Sequence, residues 1–135
     1  MTTPMRSEIL PVRQASDILL VRQLVRECAA ELGFSAFDQT KLLTAASELG
    51  RNTLIHGGGG TMRLETFVKN DRRGLRLTFE DKGPGIADLE QAMTSGFTTK
   101  GGMGLGLGGS RRLVDEFEVV SRVGEGTRVT ATRWT

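Results

Sequence analysis

Apolar residues recur at helical spacing over Ile18, Val21, Val25, Cys28, Ala29 and Leu32, placing them on one face of an amphipathic helix. Ser16 stands ahead of this stripe as the expected N-cap, and Gly33 follows it as the stop. A second helix is predicted from Ser35-Ala-Phe-Asp38, where a serine and an acid three positions apart can cap its start. Leu42, Ala45, Ala46, Leu49 and Thr53 then form its buried stripe. Gly57-Gly-Gly-Gly60 ends that helix.

The period then changes from helical to alternating. Met62, Leu64 and Val68 share one parity against Arg63, Glu65 and Lys69. After a turn at Asn70-Asp-Arg-Arg-Gly74 the chain returns with Leu75, Leu77 and Phe79 against Arg76, Thr78 and Glu80. This predicts a hairpin with one buried face. A third helix is expected from about Leu107, followed by strands near Glu118 to Val123 and Thr127 to Trp134, joined at Gly124-Glu-Gly126. Ser7 to Arg13 reads as a short first strand, which Pro11 would confine to a sheet edge. Helices grouped against a mainly antiparallel sheet predict an α/β two-layer sandwich.

The length of 135 residues, without repeat or linker, predicts a single domain over 1–135. Lys and Arg (18) nearly balance Asp and Glu (16), with no basic block, so nucleic acid is not an expected partner. Cys28 is the sole cysteine, which excludes an internal disulfide, and its place in an apolar stripe predicts a packed thiol. Ile18-Leu-Leu-Val21 is too short to cross a bilayer and the N-terminus lacks an apolar secretory core, so no membrane association and a cytoplasmic location are expected.

Glu48 and Asn52 are four apart on the second helix, which sets their Cβ atoms roughly 5–6 Å apart on one face. The amide oxygen suits Mg²⁺ and the carboxylate suits a hydroxyl to be oriented or deprotonated; an ordinary solvated helix face is the plain alternative. Asp81 ends an apolar strand in Asp81-Lys-Gly-Pro-Gly85, where its carboxylate can accept from the exocyclic amine of adenine. Gly83 and Gly85 would let a planar ligand approach the backbone, although a simple turn explains the pentapeptide as well. Gly101-Gly-Met-Gly-Leu-Gly-Leu-Gly-Gly109 can supply closely spaced amides for phosphate, with Lys100 beside it and Thr98 and Thr99 as hydroxyls, although a flexible glycine linker and ordinary solvent exposure explain them as well. Its G-x-G-x-x-G spacing does not follow a strand, which disfavours a dinucleotide fold. His56, at a helix C-terminus, reads as a cap or surface residue.

Taken in order, Glu48-Leu-Gly-Arg-Asn52, Asp81-Lys-Gly-Pro-Gly85, Gly101-Gly-Met-Gly-Leu-Gly106 and Gly124-Glu-Gly-Thr127 resemble the N box, two glycine boxes and final Gly-Thr element of the GHKL ATPase/kinase superfamily. The likeness spans nearly the whole chain and is nearest to the small anti-sigma-factor-type serine/threonine kinases of stressosome switches, with Phe97-Thr-Thr99 and Arg112 to Phe117 adding to it. It implies a Bergerat (GHKL/HATPase) ATP-binding fold with a mixed, mainly antiparallel sheet. It also implies ATP and Mg²⁺ as cofactors, Mg²⁺ held through Asn52, a general-base or water-orienting role for Glu48, and adenine recognition by Asp81 with help from Thr127. The lid Gly101, Gly102, Gly104, Leu105 and Gly106 would contact the phosphates. The implied substrate is a serine or threonine on a STAS-domain antagonist or scaffold protein, with a downstream phosphatase as a further partner. The short stretch between Gly85 and Gly101 implies a small lid and leaves no room for the histidine-bearing hairpin of a sensor kinase. The alternative is a regulator-binding module that acts by sequestration.

Overall fold

The computed structural model describes residues 3–88, 92–93 and 106–135. In chain order the elements are β1 (Arg6–Val12), α1 (Ala15–Leu32), α2 (Ala36–Ile55), β2 (Gly60–Lys69), β3 (Arg72–Asp81), α3 (Gly106–Arg111), β4 (Glu116–Arg122) and β5 (Gly126–Trp134). The strands form a five-stranded sheet in the order β1-β2-β3-β5-β4, with β1 at one edge and β4 at the other. Every pairing is antiparallel, so over the described residues the sheet is antiparallel throughout rather than mixed.

The helices form where the apolar stripes predicted them. Val21, Val25, Cys28, Ala29 and Leu32 of α1 and Leu42, Ala45, Ala46 and Leu49 of α2 are buried. All of these except Ala45 join Met62, Leu64, Leu75, Leu77, Phe79, Val129 and Ala131 of the sheet in one core. Burying each large side chain contributes about 1.5–3 kcal/mol relative to leaving it in water. Cys28 is part of this core, and burial pushes its thiol pKa up, in keeping with a packing role.

Local chemistry sets the ends of the elements. Ser35 caps α2 by accepting from the Asp38 N–H at 3.1 Å, as the sequence predicts. Gly33, at φ 87°, closes α1 in the left-handed region. The expected cap at Ser16 is corrected: Gln14 is the N-cap, and Ser16 lies inside the first turn. Asp17 decides this, because its Oδ2 accepts from the Arg13 and Gln14 N–H groups at 2.9 and 3.2 Å. The β2–β3 turn is also tighter than expected. Asn70 and Asp71 both have positive φ, as a two-residue type I′ hairpin needs, and Arg72 to Gly74 already pair in β3.

A second correction concerns Val68, which is exposed while its neighbour Phe67 is buried. Phe67 pairs with Gly74, which in turn pairs with Trp134. A Cβ on Gly74 would lie 2.6 Å from the Trp134 ring, so the indole lies over this glycine. The Arg76 guanidinium stands 4.6 Å from the centre of the Phe67 ring and helps cover it. Phe67 is therefore sheltered on the helix-free face.

Arg133 of β5 fastens the two layers: it donates to Asp38 Oδ1 on α2 at 2.6 Å and to the Leu113 carbonyl at 3.0 Å. The Arg133 hydrogen bond holds the Asp38 carboxyl below its ordinary pKa. Because the folded pKa is depressed, the stabilisation is present above the unfolded pKa of about 3.9 and is lost as pH falls through the folded value. Denaturant midpoints of the wild type and Asp38→Asn should therefore differ by a constant amount between about pH 5 and 7 and converge below about pH 4. A gap that persists undiminished at about pH 2.5 would remove the ion pair as its cause.

Candidate functional site

Among the described residues, Asp81, Gly83, Gly85 and Thr127 lie at one end of the sheet. In β3 the parity that buries Leu75, Leu77 and Phe79 continues to Asp81, which lies on the helix-covered face just beyond the core. The register sets Gly60, Asp81, Thr127 and Ser121 side by side across β2, β3, β5 and β4. Asp81 and Thr127, both named from the sequence, are thus direct ladder partners.

The C-terminal turn of α2 comes down onto the same corner. The Asn52 carbonyl accepts from the N–H groups of His56 and Gly57 at 2.9 and 3.2 Å, which ends the helix and turns the chain toward β3. Gly57 then packs against Asp81 so closely that an added Cβ would lie 2.3 Å from the carboxyl carbon. Glu48, one turn before Asn52, keeps a side chain only 14% exposed, with Arg51 Nη1 3.2 Å from its Oε1. His56 is the exposed C-cap of α2, as its position in the sequence predicts.

Asp81 is fixed in place as well as partly covered: its Oδ1 accepts from the Gly83 N–H at 2.9 Å. The glycines of this loop have a packing reason. A Cβ on Gly83 would lie 2.7 Å from the Gly57 Cα, and one on Gly85, where φ is 77°, would lie 2.2 Å from the Arg122 carbonyl oxygen. The absence of a side chain at these two positions lets neighbouring loops touch. Gly106, at φ 69°, begins α3, which packs Leu107 into the core. The expected roles of Lys100, Gly101, Gly102, Gly104 and Leu105 fall outside the described residues.

Sequence reasoning missed Ser121. Its Oγ accepts from the Ile86 N–H at 2.8 Å, lies 3.2 Å from the Gly126 carbonyl and lies 2.7 Å from Thr127 Oγ1. The Gly124 N–H donates to the Pro84 carbonyl at 2.8 Å beside it, so the loop after β3 is docked on the β4–β5 turn. The available signal was a polar residue where the parity of Phe117 and Val119 calls for an apolar one.

A separate open groove of about 760 Å³ lies on the helix-free face and is lined by Arg63, Glu65, Arg76, Glu80 and Arg128 among others. Its alternating charges mark a solvated sheet surface, on the opposite side from Asp81. No group of three His, Cys, Asp or Glu residues fit to hold a metal is assembled among the described residues. No helix among them is long and apolar enough to cross a membrane.

Known proteins resemble this chain over most of its length. The chain is 46% identical over 118 residues to the serine/threonine-protein kinase RsbT of Bacillus subtilis, covering 87% of this chain and 89% of that protein. It is 35% identical over 121 residues to the anti-sigma F factor of a Thermoanaerobacter species, covering 84% and 82%. Among solved structures, the RsbU and RsbW domains of a Mycobacterium tuberculosis protein match with a TM-score of 0.65 at 22% identity, over 97% of this chain and 33% of that one, a likeness of fold. Residues 37–134, which carry α2, the Asp81 loop and the β4–β5 turn, match the histidine kinase-, DNA gyrase B- and HSP90-like ATPases, and the chain belongs to that family.

Proposed function

We propose that the chain is an ATP-dependent serine/threonine protein kinase of a bacterial partner-switching stress response, working in the cytoplasm. Its substrate is a serine or threonine hydroxyl on a STAS-domain antagonist or scaffold, and phosphorylation frees the kinase to engage a downstream phosphatase. The observation that carries the reading is the row Asp81–Thr127 packed against Gly57, in the turn that directly follows the helix bearing Glu48 and Asn52. The identity with a named kinase over most of both chains supports the protein-kinase assignment.

Asp81, held by the Gly83 N–H, presents its remaining carboxylate capacity to the exocyclic amine of adenine. Asn52 would offer its amide oxygen to Mg²⁺, a hard donor of the kind that ion takes. When bound, the ion neutralises charge on the phosphates. Glu48 orients the acceptor hydroxyl and takes its proton as the new bond to the γ-phosphorus forms and the bond to the β,γ-bridging oxygen breaks, releasing ADP. Lys100 and the amides of Gly101, Gly102, Gly104, Leu105 and Gly106 are assigned to the phosphates.

Glu48→Ala separates catalysis from sequestration. Incubated with Mg-ATP and a STAS-domain acceptor, this variant should lose phosphoserine or phosphothreonine formation by roughly 10²- to 10⁴-fold, the range supplied by a positioned base, while still binding the partner. Full switching in cells by a variant that no longer transfers phosphate would move the function to sequestration.

A further inference from the structure

Ser121 lies outside the residues that touch nucleotide in the reading above, yet its hydroxyl meets three groups at the edge of that site. A seryl oxygen has one proton to give and two lone pairs to receive with. The Ile86 N–H, at 2.8 Å, takes one lone pair. The Gly126 carbonyl, at 3.2 Å, can only accept, so it is an outlet for the Ser121 proton. Thr127 Oγ1, at 2.7 Å, is placed either to give or to receive.

One arrangement uses every capacity. Ser121 donates to the Gly126 carbonyl and accepts from both the Ile86 N–H and the Thr127 hydroxyl. In the reverse arrangement Ser121 gives its proton to Thr127, which leaves the Gly126 carbonyl without this donor and one Ser121 lone pair unused. Gly126 is buried, so the fully used network is favoured. Its consequence reaches the ladder partner Asp81: with its proton committed inward, Thr127 offers only lone pairs outward, beside a carboxylate that also only accepts.

We infer that Ser121 is a positioning residue that makes Thr127 an acceptor and so gives the site its preference for a 6-amino over a 6-oxo purine nucleotide. The inference rests on the nucleotide reading of this corner. A 6-amino group donates to such a pair, whereas a 6-oxo group meets acceptors alone. Without the Ser121 hydroxyl, the Thr127 proton turns freely and satisfies either ligand. The Gly124-to-Pro84 bond continues to dock the loop in that case, so the effect falls mainly on selectivity.

Calorimetric Kd values for ATP and for inosine triphosphate, with Mg²⁺ present, test this in the wild type, Ser121→Ala, Ser121→Thr and Thr127→Val. The wild type should prefer ATP, and Ser121→Ala should lower the ATP preference about fivefold, the scale of one hydrogen bond. Ser121→Thr, which keeps the hydroxyl, should restore the preference to within about twofold of wild type. In a Thr127→Val background, adding Ser121→Ala should leave the ratio unchanged, because the group it orients is gone. Equal weakening of both nucleotides in Ser121→Ala, or an unchanged ratio, would reduce Ser121 to a structural contact and overturn the inference. If Ser121→Ala does not fold, the wild type and Thr127→Val decide: equal ATP preference in both overturns it. A folded wild type that takes up neither nucleotide removes the nucleotide reading itself.

Discussion

Asn52→Ala should abolish phosphoryl transfer to a STAS-domain acceptor, lowering the rate by roughly 10²- to 10³-fold, the scale on which one preorganised charge-stabilising group acts. The argument starts from the helix. Asn52 lies in the last turns of α2, where its backbone carbonyl already terminates the helix by accepting from His56 and Gly57. Alanine retains that backbone bond and is the better helix former, so the variant should fold normally. What it lacks is the amide oxygen assigned to Mg²⁺. Far-ultraviolet circular dichroism should be unchanged, while calorimetry should show nucleotide binding that no longer depends on Mg²⁺. Transfer at the wild-type rate would withdraw the metal role from Asn52.

The largest loss of stability is expected from Phe79→Ala, at about 3–5 kcal/mol by analogy with other buried phenylalanine truncations. Phe79 is 1% exposed, pairs with Met62 and Val129 in the sheet, and packs under α2. Gly50 marks that contact: an added methyl carbon there would lie 3.7 Å from the Phe79 ring and 3.5 Å from Ile18. The ring therefore supports the helical turn between Glu48 and Asn52, and it stands two residues before Asp81 on the same parity. Truncation should weaken nucleotide binding along with the fold. Chemical denaturation measures the stability change, and a loss under about 1 kcal/mol would mean the cavity collapses around the missing ring.

The elements were largely legible because burial follows period. The stripes of α1 and α2 and the alternation of β3 each leave a local signature, and Pro11 placed β1 at an edge, where the sheet has it. Three features were not legible: one turns on a neighbouring side chain that competes for the same amides, and two depend on partners that only the fold brings together. Ser16 is by type a better cap than Gln14, but the buried Asp17 carboxylate holds the amides that define the start. Phe67 is covered by the Arg76 guanidinium, beside a glycine over which the Trp134 ring of β5 lies. The packing of Gly83 against Gly57 and of Gly85 against the Arg122 carbonyl leaves no local signature. Asp81 and Thr127 are singled out by motif and prove to be ladder partners; Ser121 beside them required the strand register, which no local pattern supplies.

The position of β5 carries a consequence for biosynthesis. This strand is made after β4, yet it inserts between β3 and β4. A nascent chain halted before residue 126 has no neighbour for the outer side of β3, nothing to bring β4 into the sheet, and no Thr127 beside Asp81. Folding during translation must stall with that edge open, and purine uptake should switch on abruptly once residues 126–134 clear the ribosome.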